Sequence, residues 1–250
     1  PLLAALAQRN GDGVGAPNRP FVLAGVAFAL DLGFWHYGIA YTSVAKATVL
    51  SNLTPVVVTG VAWVVFRQKP GRMFLAAVAL AVAGAWIMAL AKGAGSLGRN
   101  PPLGDALSAT TAIWYALYFL AVGAARRTHG ATRIMFWSTV TGAPILLLAA
   151  IGLRETLLPT DWVGWAACIG LGVMHVAGQG SIAWALGRLP AATASVVVLI
   201  QPVVAALLGW VLFNELFGPW QAFGGAVALG GVVLAQWASR ARPAAAEAQV

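Results

Sequence analysis

The chain has 250 residues, 60% of them hydrophobic and only 9% charged, with a mean hydropathy of +0.82. A soluble domain carries about 25% charged residues, so this composition excludes a water-soluble globular protein and points to an integral membrane protein. The net charge of +8 falls between apolar runs, where it sets topology rather than binding nucleic acid, and the single cysteine, Cys168, excludes an internal disulfide and a cysteine metal site.

In chain order, the opening "PLLAALAQRN" is too short to span and has no charged leader before it, so it is not a signal peptide. It reads as the tail of a helix that starts before Pro1. Eight spans follow, at 21–40, 43–66, 73–91, 104–124, 132–153, 162–186, 191–213 and 219–239. Each approaches the roughly 20 residues that a bilayer core requires. The breaks carry turn and charge signals such as "RQKPGR", "ARRTHGATR" and "GRLP". Long apolar runs without period-two alternation predict helices, not a barrel. Alternate loops divide the basic residues 11 against 4, and the rich side, including the tail 240–250, is expected in the cytoplasm.

The first span holds Asp31, the one carboxylate near mid-span. Acids inside lipid usually turn toward a cavity or a partner. Asp31 is therefore a proton-coupling group, a receptor for a substrate ammonium, or a hydrogen-bonded structural residue. His36 is about 140° around the helix from it, so the two do not form a pair. His36, between Trp35 and Tyr37, either lines a cavity, where its titration range suits a switch, or is a satisfied buried histidine. The second span carries Asn52, Pro55 and Trp63 after an opening Lys46, which either snorkels outward or attracts a substrate carboxylate. Trp114, Tyr115 and Tyr118 give the fourth span an aromatic face. In the sixth, Cys168 is expected to be a packed core thiol, while His175 and Gln179 share a face turned to a cavity or to a neighbouring helix. Gln201 directly precedes Pro202 in the seventh span. The amides of Asn52 and Gln201 are placed to reach backbone groups freed by the prolines or a bound amino acid. Trp86, Trp162, Trp165, Trp220 and Trp237 suit interface anchoring.

Placing Pro55 on Pro202, a shift of 147, superposes residues 37–88 on 184–235 without a gap. Trp63/Trp210, Phe66/Phe213, Gly71/Gly218 and Gly84/Gly231 coincide. The basic-residue topology makes the two proline spans antiparallel, the mark of an inverted repeat. The expected organisation is a first repeat at 1–92, lacking its N-terminal part, a linker at 93–103, a second repeat at 104–239 and a tail at 240–250. Each proline removes an N–H and strands the carbonyl four residues back, at Ser51 and Val198. Kinked helices around a wet cavity are expected, with a plain packing kink as the alternative.

"YTSVAKATVLSNLTPVVVTGVAWVVF", "LPAATASVVVLIQPVVAALLGWVLFNE" and "GDALSATTAIWYALYF" resemble the repeat signature of the drug/metabolite transporter (DMT) superfamily, EamA branch. The resemblance covers nearly all of residues 20–239 and implies ten helices in two inverted five-helix repeats. It also implies export of amino acids and related metabolites from a bacterial inner membrane. The aromatic-rich middle looks most like the YddG-type aromatic amino acid exporters. One departure stands out: the second copy keeps the Glu that usually ends the proline helix, Glu215, whereas the first has Gln68. The expected partners are a small-molecule substrate and lipid, with no cofactor, no metal and a monomeric chain. An aromatic cavity with a few amides suits an apolar zwitterion, and an organic cation is the alternative cargo. No Walker, HEXXH or GxSxG pattern supports an enzyme, and a structural subunit is the remaining class.

Overall fold

The computed structural model describes residues 2–91, 99–213 and 218–240; the side chains of Ala45, Gly209 and Phe213 are not among those described. Most of the expected linker, Lys92, Glu215 and the tail beyond Arg240 therefore lie outside the described residues. Within them every regular element is helical, and no strand occurs. The elements are α1 (Leu2–Arg9), α2 (Arg19–Tyr41), α3 (Val44–Ser51), α4 (Thr54–Val64), α5 (Arg72–Ala91), α6 (Pro101–Ala125), α7 (Ala131–Gly152), α8 (Trp162–Ala185), α9 (Ala191–Val197), a 3₁₀ turn (Val198–Ile200), α10 (Gln201–Phe213) and α11 (Pro219–Arg240). Eight stretches are long and apolar enough to cross a membrane, and their ends fall within three residues of the spans read from the sequence. The helices begin where local chemistry supplies a cap. The Ser43 hydroxyl accepts from Lys46 N–H at 3.3 Å ahead of α3, and the Asp161 carboxylate accepts from Gly164 N–H at 2.7 Å ahead of α8.

The chain forms two compact units, residues 1–33 with 117–191 and residues 34–116 with 192–250. Each unit gathers segments from both halves of the sequence.

In the first unit, α2 crosses α7 where Gly25 lies against the backbone of Ser138 and Gly142 lies against the carbonyl of Gly25. Any larger residue at either glycine would separate the helices. The segment between α1 and α2 is tied to α7 by Trp137 Nε1, which donates to Val14 O at 2.8 Å, and by Arg133 Nη2, which donates to Ala16 O at 3.1 Å. Arg126 closes the end of α8, its Nε donating to Ala183 O at 2.9 Å and its Nη1 to His129 O at 2.6 Å. Cys168 is exposed on α8, contrary to the packed thiol expected from its apolar run. Of that helix only Ala183 is buried; the outer face of a membrane helix meets acyl chains, so an apolar run there need not be a protein core.

The second unit is organised by α5 against α11. Gly84 packs on the backbone of Ala228, and Gly231 packs on the backbone of Ala81. These two contacts are one contact seen twice: moving Gly84 by 147 gives Gly231, and moving Ala81 by 147 gives Ala228. The two helices thus meet in a self-complementary antiparallel seam of small residues. Phe74, Ala77, Val78 and Val82 of α5 are buried with Val196, Leu199, Val232 and Ala235 in the same core.

Candidate functional site

The proline spans are where the structure adds most to the sequence. Neither is one kinked helix. The first is divided into α3 and α4 by a turn at Asn52–Leu53, and the second into α9 and α10 by the 3₁₀ turn. Both breaks lie in the second unit. Pro55 is fully buried in the first turn of α4, where its missing N–H costs nothing. The carbonyl it strands, Ser51 O, accepts from the Thr54 hydroxyl at 2.8 Å. Leu53 N–H turns back to Leu50 O at 3.2 Å, and Val49 O accepts from Trp86 Nε1 of α5 at 2.8 Å. Trp86 is thus no interface anchor, as its sequence position had suggested; its indole N–H is spent inside the protein. The amide expected to serve this break does not do so, since Asn52 Nδ2 is buried and has no partner.

At the second break Val198 O, the carbonyl stranded by Pro202, accepts the backbone N–H of Gln201. Pro202 is half-buried, and the Gln201 side chain is exposed and takes no part in the repair.

The aromatic residues sort along α2. In the second unit, Phe34 lies 6.4 Å from Trp114, ring centre to ring centre, and Trp114 Nε1 is buried without a partner. His36 is exposed and meets Tyr37 edge-on at 5.6 Å; half-buried Tyr37 continues to Tyr41 at 6.5 Å. Tyr115 is half-buried. Trp63 and Trp210, 147 positions apart, are both about half exposed, at 47% and 53%. At the end of this unit Asp105 accepts from the Thr42 hydroxyl at 2.7 Å and lies 3.7 Å from Lys46 Nζ, so Lys46 is paired to the protein rather than free at the surface.

In the first unit, Phe28 lies 5.2 Å from Tyr118 and 5.1 Å from His175. Tyr118 is buried, and its hydroxyl points at Met135 Sδ, 3.9 Å away. His175 and Gln179 are half-buried one turn apart, and Gln179 Oε1 has no donor. Asp31 is 8% exposed, and no hydrogen bond or ion pair reaches it among the described residues. Trp114 and Tyr118, one turn apart on α6, therefore have different partners on α2. Phe28 and Phe34, each three residues from Asp31, were not singled out from the sequence; the spacing was visible, but aromatic residues are too common in this chain to make it a signal. No group of three or more His, Cys, Asp or Glu side chains suited to a metal ion occurs among the described residues.

Comparison with known proteins gives this arrangement a context. The profile of the EamA-like transporter family matches residues 3–90 and 102–237. An uncharacterized transporter of Archaeoglobus fulgidus is 28% identical over 224 residues, which is 89% of this chain and 78% of that protein. A solved crystal structure superposes with a TM-score of 0.80 over 96% of this chain and 84% of its own, at 18% identity, a likeness of fold.

Proposed function

This chain belongs to the EamA-like transporter family and is a multi-pass membrane protein, and from that premise we propose that it exports amino acids, aromatic or otherwise apolar, and related small metabolites. The supporting observation is the pair of broken membrane helices at matching positions of the two sequence halves. Backbone that leaves the helical ladder at membrane depth is tolerated where it is buried in protein or lines a cavity, and discontinuous helices of this kind mark the substrate region of many secondary transporters. Alternating access by the two inverted repeats, 1–92 and 104–239, moves the solute without covalent chemistry. The chain resides in a bacterial inner membrane with its C-terminus in the cytoplasm, as the excess of basic residues on that side favours.

Each unit offers its own candidate solute contacts: Asp31, Tyr118, His175 and Gln179 in the first, and His36, Tyr37, Trp114 and Tyr115 in the second. Asn52, Pro55, Gln201 and Pro202 lie at the breaks, with Trp63 just over two turns beyond Pro55. Apolar rings with a few orphaned polar atoms suit a small zwitterion with an apolar side chain.

Counterflow into proteoliposomes, with a panel of radiolabelled amino acids and with and without a pH gradient, tests this reading. Saturable exchange of phenylalanine or leucine is expected, and Trp114→Ala is expected to slow it about tenfold by removing a half-buried ring and its buried N–H donor. A protein that exchanges no amino acid is not an amino acid exporter.

A further inference from the structure

Resting on the transporter reading, we infer that the stretch of α2 carrying Phe28 and Asp31 receives a positively charged amine of the transported solute. Asp31 lies in the middle of a membrane-spanning helix, twelve residues from Arg19 and ten from Tyr41. It is more than nine-tenths buried and has no hydrogen bond or ion pair among the described residues. Buried carboxyl groups are otherwise paired, because an isolated one has no solvation to replace the water it lost. The charged residues of the same unit do not fill this role. Arg126 and Arg133 sit near helix ends and are committed to the carbonyls of Ala183, His129 and Ala16. A donor carried by the solute would supply the partner that this unit does not.

The surrounding chemistry selects its type. One turn before Asp31, the Phe28 ring lies among Tyr118 and His175, at 5.2 and 5.1 Å. Aromatic faces attract cations and repel anions. One turn beyond His175, Gln179 leaves its carbonyl oxygen buried without a donor. A carboxylate and an amide oxygen are both acceptors, so each suits an ammonium N–H donor and neither suits a carboxylate. A bare metal ion fits poorly, because a hard cation wants about six oxygen ligands and Asp31 offers at most two.

Equilibrium binding to the purified full chain in nanodiscs tests the assignment with three probes of one ring: phenylalanine, 2-phenylethylamine, and 3-phenylpropionate, which lacks the amine. The two amines are expected to bind at least about tenfold more tightly than phenylpropionate, as a charge-assisted hydrogen bond in a buried site implies. Asp31→Asn, nearly isosteric, is expected to weaken both amines about tenfold or more and leave phenylpropionate unchanged. Asp31→Glu keeps the charge and retains part of the amine binding, which guards against a folding artefact. Phe28→Leu is expected to weaken the amines about threefold, and Phe28→Tyr to restore them. Equal weakening of all three probes by Asp31→Asn makes the residue structural and overturns the assignment, as does amine binding that Asp31→Asn leaves intact. Wild-type protein that exchanges phenylpropionate as fast as phenylalanine remains a transporter but loses the amine site. Wild-type protein that exchanges nothing loses the transporter reading itself.

Discussion

At Pro55 and at Pro202 the same amide hydrogen is missing, and the carbonyl four residues earlier loses its donor. At the first break side chains repair the loss: Thr54 bonds Ser51 O, and Trp86 reaches across from α5 to Val49 O. At the second the backbone repairs itself, tightening into a 3₁₀ turn so that Gln201 N–H meets Val198 O. The residues at a shift of 147 account for the difference. Thr54 corresponds to Gln201, Ser51 to Val198, Asn52 to Leu199 and Trp86 to Val233. The second span has neither the threonine nor the tryptophan that bond the carbonyls of the first, and a 3₁₀ turn inside a membrane helix needs no side chain. The hydrogen bonds of the first break therefore include a long-range one, from Trp86, whereas the bond that meets Val198 O is local and of the poorer 3₁₀ type.

Removing the long-range bond gives the largest expected effect. Trp86→Ala strands Val49 O and leaves a cavity beside α3, and is expected to lower stability by about 3 kcal/mol. Val233, at the position 147 residues on, is exposed at 67%, so Val233→Ala is expected to stay within about 0.5 kcal/mol. Thermal unfolding of the two variants in detergent checks the contrast. Equal shifts would mean that the two breaks are held alike.

The architecture was readable because lipid imposes a strict length and hydropathy on each span, and every span end lies within three residues of its expected place. The shift of 147 pairs Gly84 with Gly231, but that these glycines make the same close contact in the seam of α5 and α11 came only from the structure. The repair of the prolines was not readable. The bond from Trp86 to Val49 joins residues 37 apart, and an indole near a span end looks like an interface anchor until its partner is known. Amides were the natural candidates for the stranded carbonyls, yet a threonine next to the proline is better placed, as its hydroxyl folds back on the same turn. Cys168 misled for a related reason: hydropathy reports apolar surroundings but does not distinguish protein from acyl chain. At the candidate site the sequence identified Asp31 as unusual; that its neighbours on α2 are Phe28 and Phe34, each facing a different aromatic of α6, depended on the packing.

An intermediate effect is expected from exchanging the repair chemistry. Thr54→Val removes the hydroxyl that meets Ser51 O, at about 1 kcal/mol by the scale of hydrogen bonds between membrane helices. Gln201→Thr places a hydroxyl at the matching position of the second break, where it can meet Val198 O, and is expected to protect the amides of the following turn about threefold in hydrogen exchange. Faster exchange in Gln201→Thr would show that the second break is limited by something other than its missing side-chain bond.

The smallest effect concerns where the two proline spans are anchored. Lys46 near the start of α3 corresponds to Thr193 near the start of α9. Lys46 meets Asp105 at 3.7 Å with both side chains substantially exposed, whereas the Thr193 and Ser239 hydroxyls share a hydrogen bond at 2.8 Å with Thr193 buried. An exposed ion pair contributes only about 0–1 kcal/mol because water screens it and two long side chains must be ordered to form it. Asp105 also keeps its bond from Thr42 when the lysine is removed. Lys46→Gln is therefore expected to change unfolding by less than about 0.5 kcal/mol and to lose even that at high salt. Thr193→Val, which leaves the Ser239 hydroxyl only its own-helix bond to Ala235 O, is expected to cost about 0.6 kcal/mol with no salt dependence. A large, salt-sensitive loss in Lys46→Gln would reverse the order of the two anchors and make the ionic one the stronger.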